Sequence, residues 1–235
     1  PLVVCSYFYT KGKKYLFICI HHLVVDGVSW QILMEDLHLG LQQLEDGKAI
    51  CLPEKTASFK QWSESLSEYK KTLFKEKEYW NNVISSIKNI NIKLLNETTN
   101  GFGELILSFD RHETQRLLYK CNKAYHTEIK DLLLAALGNS MKEFTGQNSI
   151  TILLEGHGRE EIHEKIDVDR TIGWFTNTYP VNLECKTNLK DSIILTKETL
   201  RHIPNKGLGY SLLKDGVNIP VIDISFNYHG KIDIN

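Results

Sequence analysis

The sequence predicts an α/β protein, and three features lead to this prediction. Strand-like runs rich in Val, Ile, Tyr and Phe alternate along the chain with segments whose apolar residues recur at helical spacing. No internal repeat or low-complexity segment interrupts this alternation. With 235 residues, of which 42% are hydrophobic, the chain is long enough to bury one large core or the cores of two smaller lobes.

The N-terminal part is predicted to contain a β-hairpin followed by helices. Residues 1 to 20 are strand-like on both sides of a turn signal at residues 11 to 14. Apolar residues then follow one helical face from Trp30 until Gly47 ends the pattern. Ser58 is a candidate N-cap for a second helix, and aromatic residues continue the helical pattern, with a break, as far as Val83.

Residues 88 to 103 are rich in Asn, Thr and Gly and are the best candidate for a linker. We therefore predict two lobes, residues 1 to 100 and residues 101 to 235. The second lobe is expected to begin with a half-buried strand at residues 105 to 109, because apolar residues alternate there, and with a helix capped by Asp110. A centrally buried helix, DLLLAALGNSMKEF, and the strand SITILLE are predicted next.

An irregular stretch from Gly156 to Thr176 is predicted to be a functional loop. It shows little periodicity but is rich in Gly, His, Arg and Glu. After this loop we predict regular secondary structure again: a strand at residues 178 to 184, a helix from about 189 to 201, a glycine-rich turn, and strand-like sequence at residues 220 to 230. Both termini fall in strand-like sequence, so we interpret the chain as a fragment and expect exposed strand edges to favour self-association.

Composition and charge exclude several classes of function. The chain has 28 basic and 29 acidic residues, with no basic block, so a nucleic-acid partner is not expected. No apolar run is long enough to span a bilayer and no targeting leader is recognisable, so no membrane partner is expected. Five scattered cysteines without a CxxC motif indicate neither a disulfide framework nor a zinc ribbon, which favours a cytoplasmic location.

The segment HHLVVDG, residues 21 to 27, is the first candidate site. His21 and His22 are adjacent at a predicted strand end, where the pleat would point them to opposite faces. His22 is the candidate catalytic residue, because an imidazole there can take or give a proton near neutral pH. We favour structural roles for His21, as a buried and hydrogen-bonded residue, and for Asp26, as a helix cap; Gly27 would permit a tight turn.

Two further segments carry candidate functional residues. EGHGRE, residues 155 to 160, directly follows a strand that is expected to be buried, and it begins with Glu155 followed by two nearby glycines. Burial would raise the pKa of the Glu155 carboxyl and so suit it to act as a base. An ordinary surface turn is the alternative. In RTIGWFT, residues 170 to 176, the aromatic pair Trp174 and Phe175 would wall a substrate channel or, alternatively, belong to the core.

Other site types do not fit the residue spacing. There is no HExxH zinc motif and no phosphate-binding loop of the GxxxxGK[ST] type. A metal bound by His21, His22 and Asp26 is disfavoured because adjacent side chains on a strand point apart. We therefore predict no metal site.

HHLVVDG matches the HHxxxDG signature, so the chain resembles the condensation-domain superfamily, whose members are similar in fold to chloramphenicol acetyltransferase. Further segments resemble, in order, the epimerisation domains of nonribosomal peptide synthetases: VSWQILMEDL, DLLLAALG, EGHGRE, RTIGWFTNTYP, PNKGLGY and FNYHG. One departure is His229, where the family commonly has an apolar residue. The family's motif upstream of the hairpin is also absent. The resemblance implies two α/β lobes with a cleft between them, HHLVVDG on one lobe facing EGHGRE on the other.

The resemblance also implies a reaction and a set of site residues. The reaction is inversion at Cα of an aminoacyl or peptidyl thioester on the phosphopantetheine arm of a neighbouring carrier domain of the same synthetase, with no bound cofactor or metal. Asp26 is expected to pair with Arg159 or Arg170, or to cap the following helix. The implied residues are His22 and Glu155 for catalysis; His21, Asp26, Gly27, Arg159 and Arg170 for support; and Trp174, Phe175, Asn177 and Tyr179 for the substrate channel.

Two alternatives remain for function. In peptide-bond formation, His22 would assist attack of an amine on the thioester and Glu155 would have no fixed role, which EGHGRE argues against. In a noncatalytic module that recruits a partner enzyme, neither residue would be needed. The intact HHxxxDG signature together with Glu155 disfavours this second alternative.

Overall fold

The N-terminal hairpin forms as the sequence predicts. In the computed structural model, which describes residues 1–87, 90, 103–213 and 220–230, β1 (Val3–Thr10) pairs antiparallel with β2 (Lys13–Ile20). The turn between the strands has positive φ at both of its residues, Lys11 at 48° and Gly12 at 75°, which suits the right-handed twist of a hairpin. Most side chains on both strands are exposed, aromatic ones included. The self-association expected from exposed strand edges stays a prediction.

Three helices follow the hairpin, and local capping explains where two of them begin. α1 (Gly27–Glu45) begins at the cap residue Asp26, and α2 (Phe59–Lys70) at Ser58. The Ser58 hydroxyl accepts a hydrogen bond from the Gln61 backbone N–H, and the Gln61 side chain accepts one from the Ser58 N–H, which is a complete capping box. The predicted break precedes α3 (Lys77–Ser85).

The chain divides into two compact units that differ from the two consecutive lobes expected. Unit 1 contains the described residues of Pro1–Lys75, Gly156–Asn177 and His229–Asn235, and unit 2 contains those of Glu76–Glu155 and Thr178–Tyr228. The predicted linker, 88 to 103, lies outside the described residues except for Ile90 and Gly103. Residues 156–177, expected in the second lobe, belong to unit 1 because their side chains and backbone bind the residues at the start of α1.

The strand predicted at residues 105 to 109 is not formed. Leu105, Leu107 and Phe109 are 86%, 76% and 63% exposed, and within the described ranges no strand pairs with this segment. Alternation of apolar residues suits a strand, but a strand is stable only when a neighbour satisfies its backbone groups. Asp110 does cap a helix, α4 (Arg111–Gln115), which continues through a π-helical segment into α5 (Asn122–Tyr125).

Unit 2 is built around a three-stranded sheet with the order β4-β3-β5. The strands are β3 (Ser149–Gly156), β4 (Asn177–Glu184) and β5 (Ser225–Phe226). β5 pairs parallel with β3 through two residues, so the strand predicted over residues 220 to 230 is much shorter than expected.

The helices of unit 2 cover this sheet with apolar side chains. They include α6 (Ile129–Thr145), α7 (Leu189–Arg201) and α8 (Leu208–Leu213). Ile150, Ile152 and Leu154 alternate along β3 and are at most 1% exposed. They form one core with Trp80, Ile90, Leu134, Tyr179, Val181, Leu183, Ile203 and Tyr210. None of the helices in the described part of the chain is both long and apolar enough to cross a membrane.

A left-handed turn precedes α8 and is anchored to this core. Asn205, Lys206 and Gly207 have φ values of 40°, 45° and 83°. The Asn205 side-chain N–H donates a 2.9 Å hydrogen bond to the buried Glu76 carboxylate, which also accepts one of 3.0 Å from the Trp80 indole. A side chain at Gly207 would lie 2.0 Å from the Tyr179 ring, so glycine is required there for two separate reasons.

We expect Gly207→Ala to lower the free energy of unfolding by about 3 kcal/mol, because it adds a clash with Tyr179 to the cost of a positive φ. Gly146→Ala is the matched control, because Gly146 also has a positive φ, 72°, but open space around its Cα; it should cost only about 1 kcal/mol. Urea unfolding followed by tryptophan fluorescence measures both. Equal losses in the two variants would show that the contact with Tyr179 adds nothing.

Candidate functional site

The two histidines lie in a short 3-10 turn and not at a strand end. β2 ends at Ile20, His21 caps the turn His22–Val24, and the His21 Nδ1 accepts a 3.2 Å hydrogen bond from the Leu23 backbone N–H. Both histidines are exposed. The burial expected for His21 and the argument from strand pleating are therefore wrong, although His21 does stabilise the turn that carries His22.

Asp26 begins α1 and pairs with an arginine at the same time. Its Oδ1 accepts a 2.7 Å hydrogen bond from the Ser29 backbone N–H, which caps the helix. The Arg159 Nη1 donates to Oδ2 at 2.8 Å and the Nη2 to Oδ1 at 3.2 Å, a bidentate pair. The two side chains are only 4% and 2% exposed. The sequence leaves Arg159 and Arg170 as possible partners of Asp26, and in the structure the partner is Arg159.

Arg159 also binds two groups that sequence analysis did not single out. Its Nη2 donates to the Ser29 hydroxyl at 3.0 Å and to the Thr171 carbonyl at 2.9 Å. Its guanidinium carbon lies 4.0 Å from the centre of the Phe175 ring, a cation–π distance. Serine in a first helical turn and threonine in a loop are common, so their residue types give no signal for this role.

The electrostatics of Asp26 follow from these contacts. Burial by itself raises the pKa of the Asp26 carboxyl. The hydrogen bonds from Arg159, from Ser29 and from the Phe175 backbone N–H favour the ionised form and outweigh burial, so the pKa lies below its ordinary value. Asp26 is therefore a charged structural group, with its oxygens already occupied.

Arg170 has a separate role in unit 1. Its guanidinium binds Asp36, and its Nη1 lies 3.3 Å from the Glu35 carboxylate. Its backbone N–H donates a 3.2 Å hydrogen bond to the Thr56 hydroxyl. Arg170 therefore joins the RTIGWFT loop to α1, and it does not bind Asp26.

The backbone on both sides of Trp174 is bound to the start of α1. The Gly173 N–H donates to the Ser29 hydroxyl at 3.1 Å, and that hydroxyl donates to the Gly173 carbonyl at 2.9 Å. The Phe175 N–H donates to the Asp26 Oδ2 at 3.0 Å. Trp174 itself is 44% exposed, and its ring lies against His22 with ring centroids 5.3 Å apart.

The other three residues expected in a substrate channel are buried. Phe175 is 5% exposed and packs edge-on against Phe59. It is therefore a core residue, which is the alternative interpretation of its sequence. Tyr179 is 2% exposed and belongs to the core of unit 2, while Asn177 is 6% exposed. Of the four residues, the structure leaves Trp174 accessible and places the other three in packed interiors.

Gly27 and Gly158 differ in what the backbone requires of them. Gly27 has no positive φ and an added Cβ would meet open space, so the backbone does not require glycine at this position. Gly158 has φ 70°, and a Cβ would lie 1.8 Å from the Phe175 carbonyl oxygen. At Gly158 the EGHGRE loop therefore lies closer to the Phe175 backbone than any residue with a Cβ could.

Glu155 lies near the end of β3 and is exposed. Ile150, Ile152 and Leu154 point into the core of unit 2, whereas Glu155 has the opposite parity along the strand. The burial expected for this carboxylate is therefore wrong. His22 lies in unit 1 and Glu155 in unit 2, and their predicted meeting across a cleft stays a prediction.

Each unit has one accessible group among the candidate catalytic residues that can take part in acid–base chemistry. The His22 imidazole and the Glu155 carboxylate are both exposed, whereas Asp26 and Arg159 neutralise each other in the interior. Among the described residues, no three His, Cys, Asp or Glu side chains are grouped so as to bind a metal ion.

We expect Asp26→Asn to lower the free energy of unfolding by about 3–5 kcal/mol, because it leaves the charge of Arg159 buried without a negative charge to neutralise it. Asp46→Asn is the control, because it removes an exposed ion pair with Lys48 and should change stability by about 0.5 kcal/mol or less. Urea unfolding of both variants measures the difference. If Asp26→Asn lowers the free energy of unfolding no more than the control does, the ion pair does not stabilise the fold.

The lowered pKa of Asp26 also predicts a pH dependence. The stabilisation is complete above the ordinary carboxyl pKa of 3.8 and is lost as the pH falls through the lower pKa of the folded state. The difference in unfolding free energy between the natural chain and Asp26→Asn should therefore shrink as the pH falls below about 4. Urea titrations at a series of pH values test this, and a difference that stays constant down to pH 2 would contradict it.

Comparison with known proteins identifies relatives over nearly the whole chain. Residues 1–232 match the family described as Condensation domain. Tyrocidine synthase 1 of Brevibacillus parabrevis is 45% identical over 251 residues, covering 99% of this chain and 23% of that protein. Gramicidin S synthase 1 of Brevibacillus brevis is 43% identical over 250 residues, with the same shares of 99% and 23%.

Solved structures show the same fold. The epimerization domain from the third module of tyrocidine synthetase B superposes with a TM-score of 0.78 at 41% identity, covering 91% of this chain and 49% of that chain. The first condensation domain of the calcium-dependent antibiotic synthetase gives 0.68 at 16% identity, covering 96% of this chain and 51% of that chain, and shows the fold alone. The chain thus spans about half of these solved domains and under a quarter of the two synthases. The predicted α/β fold of the chloramphenicol acetyltransferase type is confirmed by these structures. The match over residues 1–232 shows that this chain belongs to the condensation-domain family of nonribosomal peptide synthetases, as HHLVVDG predicts.

Proposed function

We propose that this chain acts in epimerisation at Cα of an aminoacyl or peptidyl thioester that a carrier domain of the same synthetase presents on phosphopantetheine. The observation that carries the proposal is the buried pair between Arg159 of EGHGRE and Asp26 of HHLVVDG. This pair joins a motif typical of epimerisation domains to the signature of the whole family, and it leaves the His22 imidazole exposed beside it in the chain. The similarity to the solved epimerization domain supports the same function.

The reaction requires the kinds of group that these motifs provide. Removal of the α-proton next to a thioester leaves negative charge on the carbonyl oxygen, so the site needs a base on one face of Cα and an acid on the other. In the proposal, His22 and Glu155 exchange protons with Cα, one on each face. The inversion is then reversible, and proton transfer by these two groups calls for no bound cofactor.

Peptide-bond formation is the second candidate, because the chain shares its fold with the first condensation domain of the calcium-dependent antibiotic synthetase. In that reaction His22 would assist amine attack, and the carboxylate of Glu155 would have no part. The two functions therefore differ in their dependence on Glu155.

We expect His22→Ala and Glu155→Gln each to lower epimerisation by about 10²–10⁴-fold, because positioned proton transfer contributes that much. The natural full-length protein is supplied with a carrier-bound L-aminoacyl thioester, and the chirality of the released residue is measured. His112→Ala and Glu143→Gln, two exposed positions outside these motifs, are the matched controls and should keep full activity. Peptide-bond formation without inversion by the natural protein would contradict the proposed function.

Exchange of the α-proton with solvent tests the assignment of two groups. If one group acts on each face, each single variant should slow exchange unequally from the L and the D thioester, because each enantiomer presents its proton to a different group. Equal loss from both enantiomers in Glu155→Gln, with exchange surviving in His22→Ala, would instead indicate Glu155 as a single base.

A further inference from the structure

The indole ring of Trp174 is in direct contact with the imidazole of His22. The ring centroids are 5.3 Å apart and the ring planes are inclined at 58°, within the range of contacting aromatic pairs. Trp174 remains 44% exposed and His22 is also exposed. Burial in a core therefore does not account for the position of the indole.

The backbone contacts explain why the indole stays at this place. Its two chain neighbours, Gly173 and Phe175, are hydrogen-bonded to Ser29 and Asp26 at distances of 2.9–3.1 Å. Those partners are 0% and 2% exposed, and Arg159 binds both of them. Trp174 is thus presented by a rigid buried network, with only its side chain outside.

The turn that carries His22 is held by its backbone and by the His21 cap. The Val24 N–H donates to the His21 carbonyl at 3.0 Å and the Val25 N–H to the His22 carbonyl at 3.5 Å. These bonds fix the backbone of His22 but not the rotation of its imidazole about the side-chain torsions. In the part of the chain that the structure describes, no hydrogen bond joins the imidazole to another side chain. The indole packs against the imidazole and therefore restricts the orientations that the imidazole can adopt.

We propose that Trp174 is a positioning residue for His22. This inference rests on the proposed epimerisation, in which the Cα–H bond breaks, its electron pair stays on the thioester enolate, and the proton binds an imidazole nitrogen. The indole keeps the imidazole directed for that transfer, and its π face attracts the imidazolium that the transfer creates. The role differs from that of a channel wall, because Trp174 acts through His22 and not through contact with the substrate.

The kinetic test uses the natural full-length protein and a carrier-bound L-aminoacyl thioester. Trp174→Leu should lower kcat by about 10-fold to about 10²-fold, as expected for a misplaced catalytic group, with KM unchanged. Trp174→Phe keeps an aromatic face and should recover most of the loss. Phe74→Leu is the matched control, because Phe74 is a 72% exposed aromatic residue outside the site, and it should behave as the natural protein. A raised KM with unchanged kcat in Trp174→Leu would overturn the proposal in favour of a channel wall.

A second measurement does not depend on activity. Diethylpyrocarbonate modifies neutral imidazoles, and peptide mass spectrometry gives the rate at each histidine. In Trp174→Leu, His22 should be modified faster than in the natural protein, while His21 and His157 keep their rates. An unchanged rate at His22 would overturn the proposal. If the natural protein inverts no thioester, the proposed function fails, and the rates at His22 alone then decide whether Trp174 restrains it.

Discussion

The ion pair between Arg159 and Asp26 is the contact on which the arrangement of unit 1 depends. Arg159 enters from the EGHGRE loop and Asp26 begins α1, 133 residues earlier in the chain. Two charges with side-chain exposures of 4% and 2% are tolerated only because each is paired and hydrogen-bonded. Once this pair forms, the loop and the helix start cannot move independently.

Further contacts extend this constraint to the rest of the candidate site. Ser29 links Arg159 to Gly173, and Asp26 accepts a hydrogen bond from the Phe175 backbone. Phe175 packs beneath the guanidinium of Arg159, and Gly158 permits the close approach of the two loops. The buried residues of the motifs therefore support the loops, and Trp174 and His22 are among the motif residues that are exposed next to this support.

In unit 2 as well, buried residues hold the backbone in place and a candidate catalytic residue is exposed. The alternating apolar residues of β3 enter an apolar core, and Glu155 follows them as an exposed carboxylate. The left-handed turn at residues 205–207 is anchored to this core through Glu76 and Trp80. A strained backbone of this kind persists only where surrounding contacts determine it, and here a buried carboxylate does so.

The sequence by itself determined the elements whose signals are local. The hairpin, the caps at Asp26, Ser58 and Asp110, and the α/β class follow from turn residues, capping residues and periodicity, which act over a few positions. The family also follows from the short motif HHLVVDG, and the match over residues 1–232 confirms the family.

Tertiary structure alone decided the contacts between distant segments. The choice of Arg159 over Arg170, the burial of Phe175 and Tyr179, the exposure of Glu155 and the absence of a strand at 105–109 all depend on which neighbours are present. Alternation and charge show what a residue can do, but not which partner lies beside it. The contact between His22 and Trp174 belongs to the same group, because the two rings are 152 positions apart and meet only when buried hydrogen bonds hold the backbone on both sides of Trp174 against the start of α1.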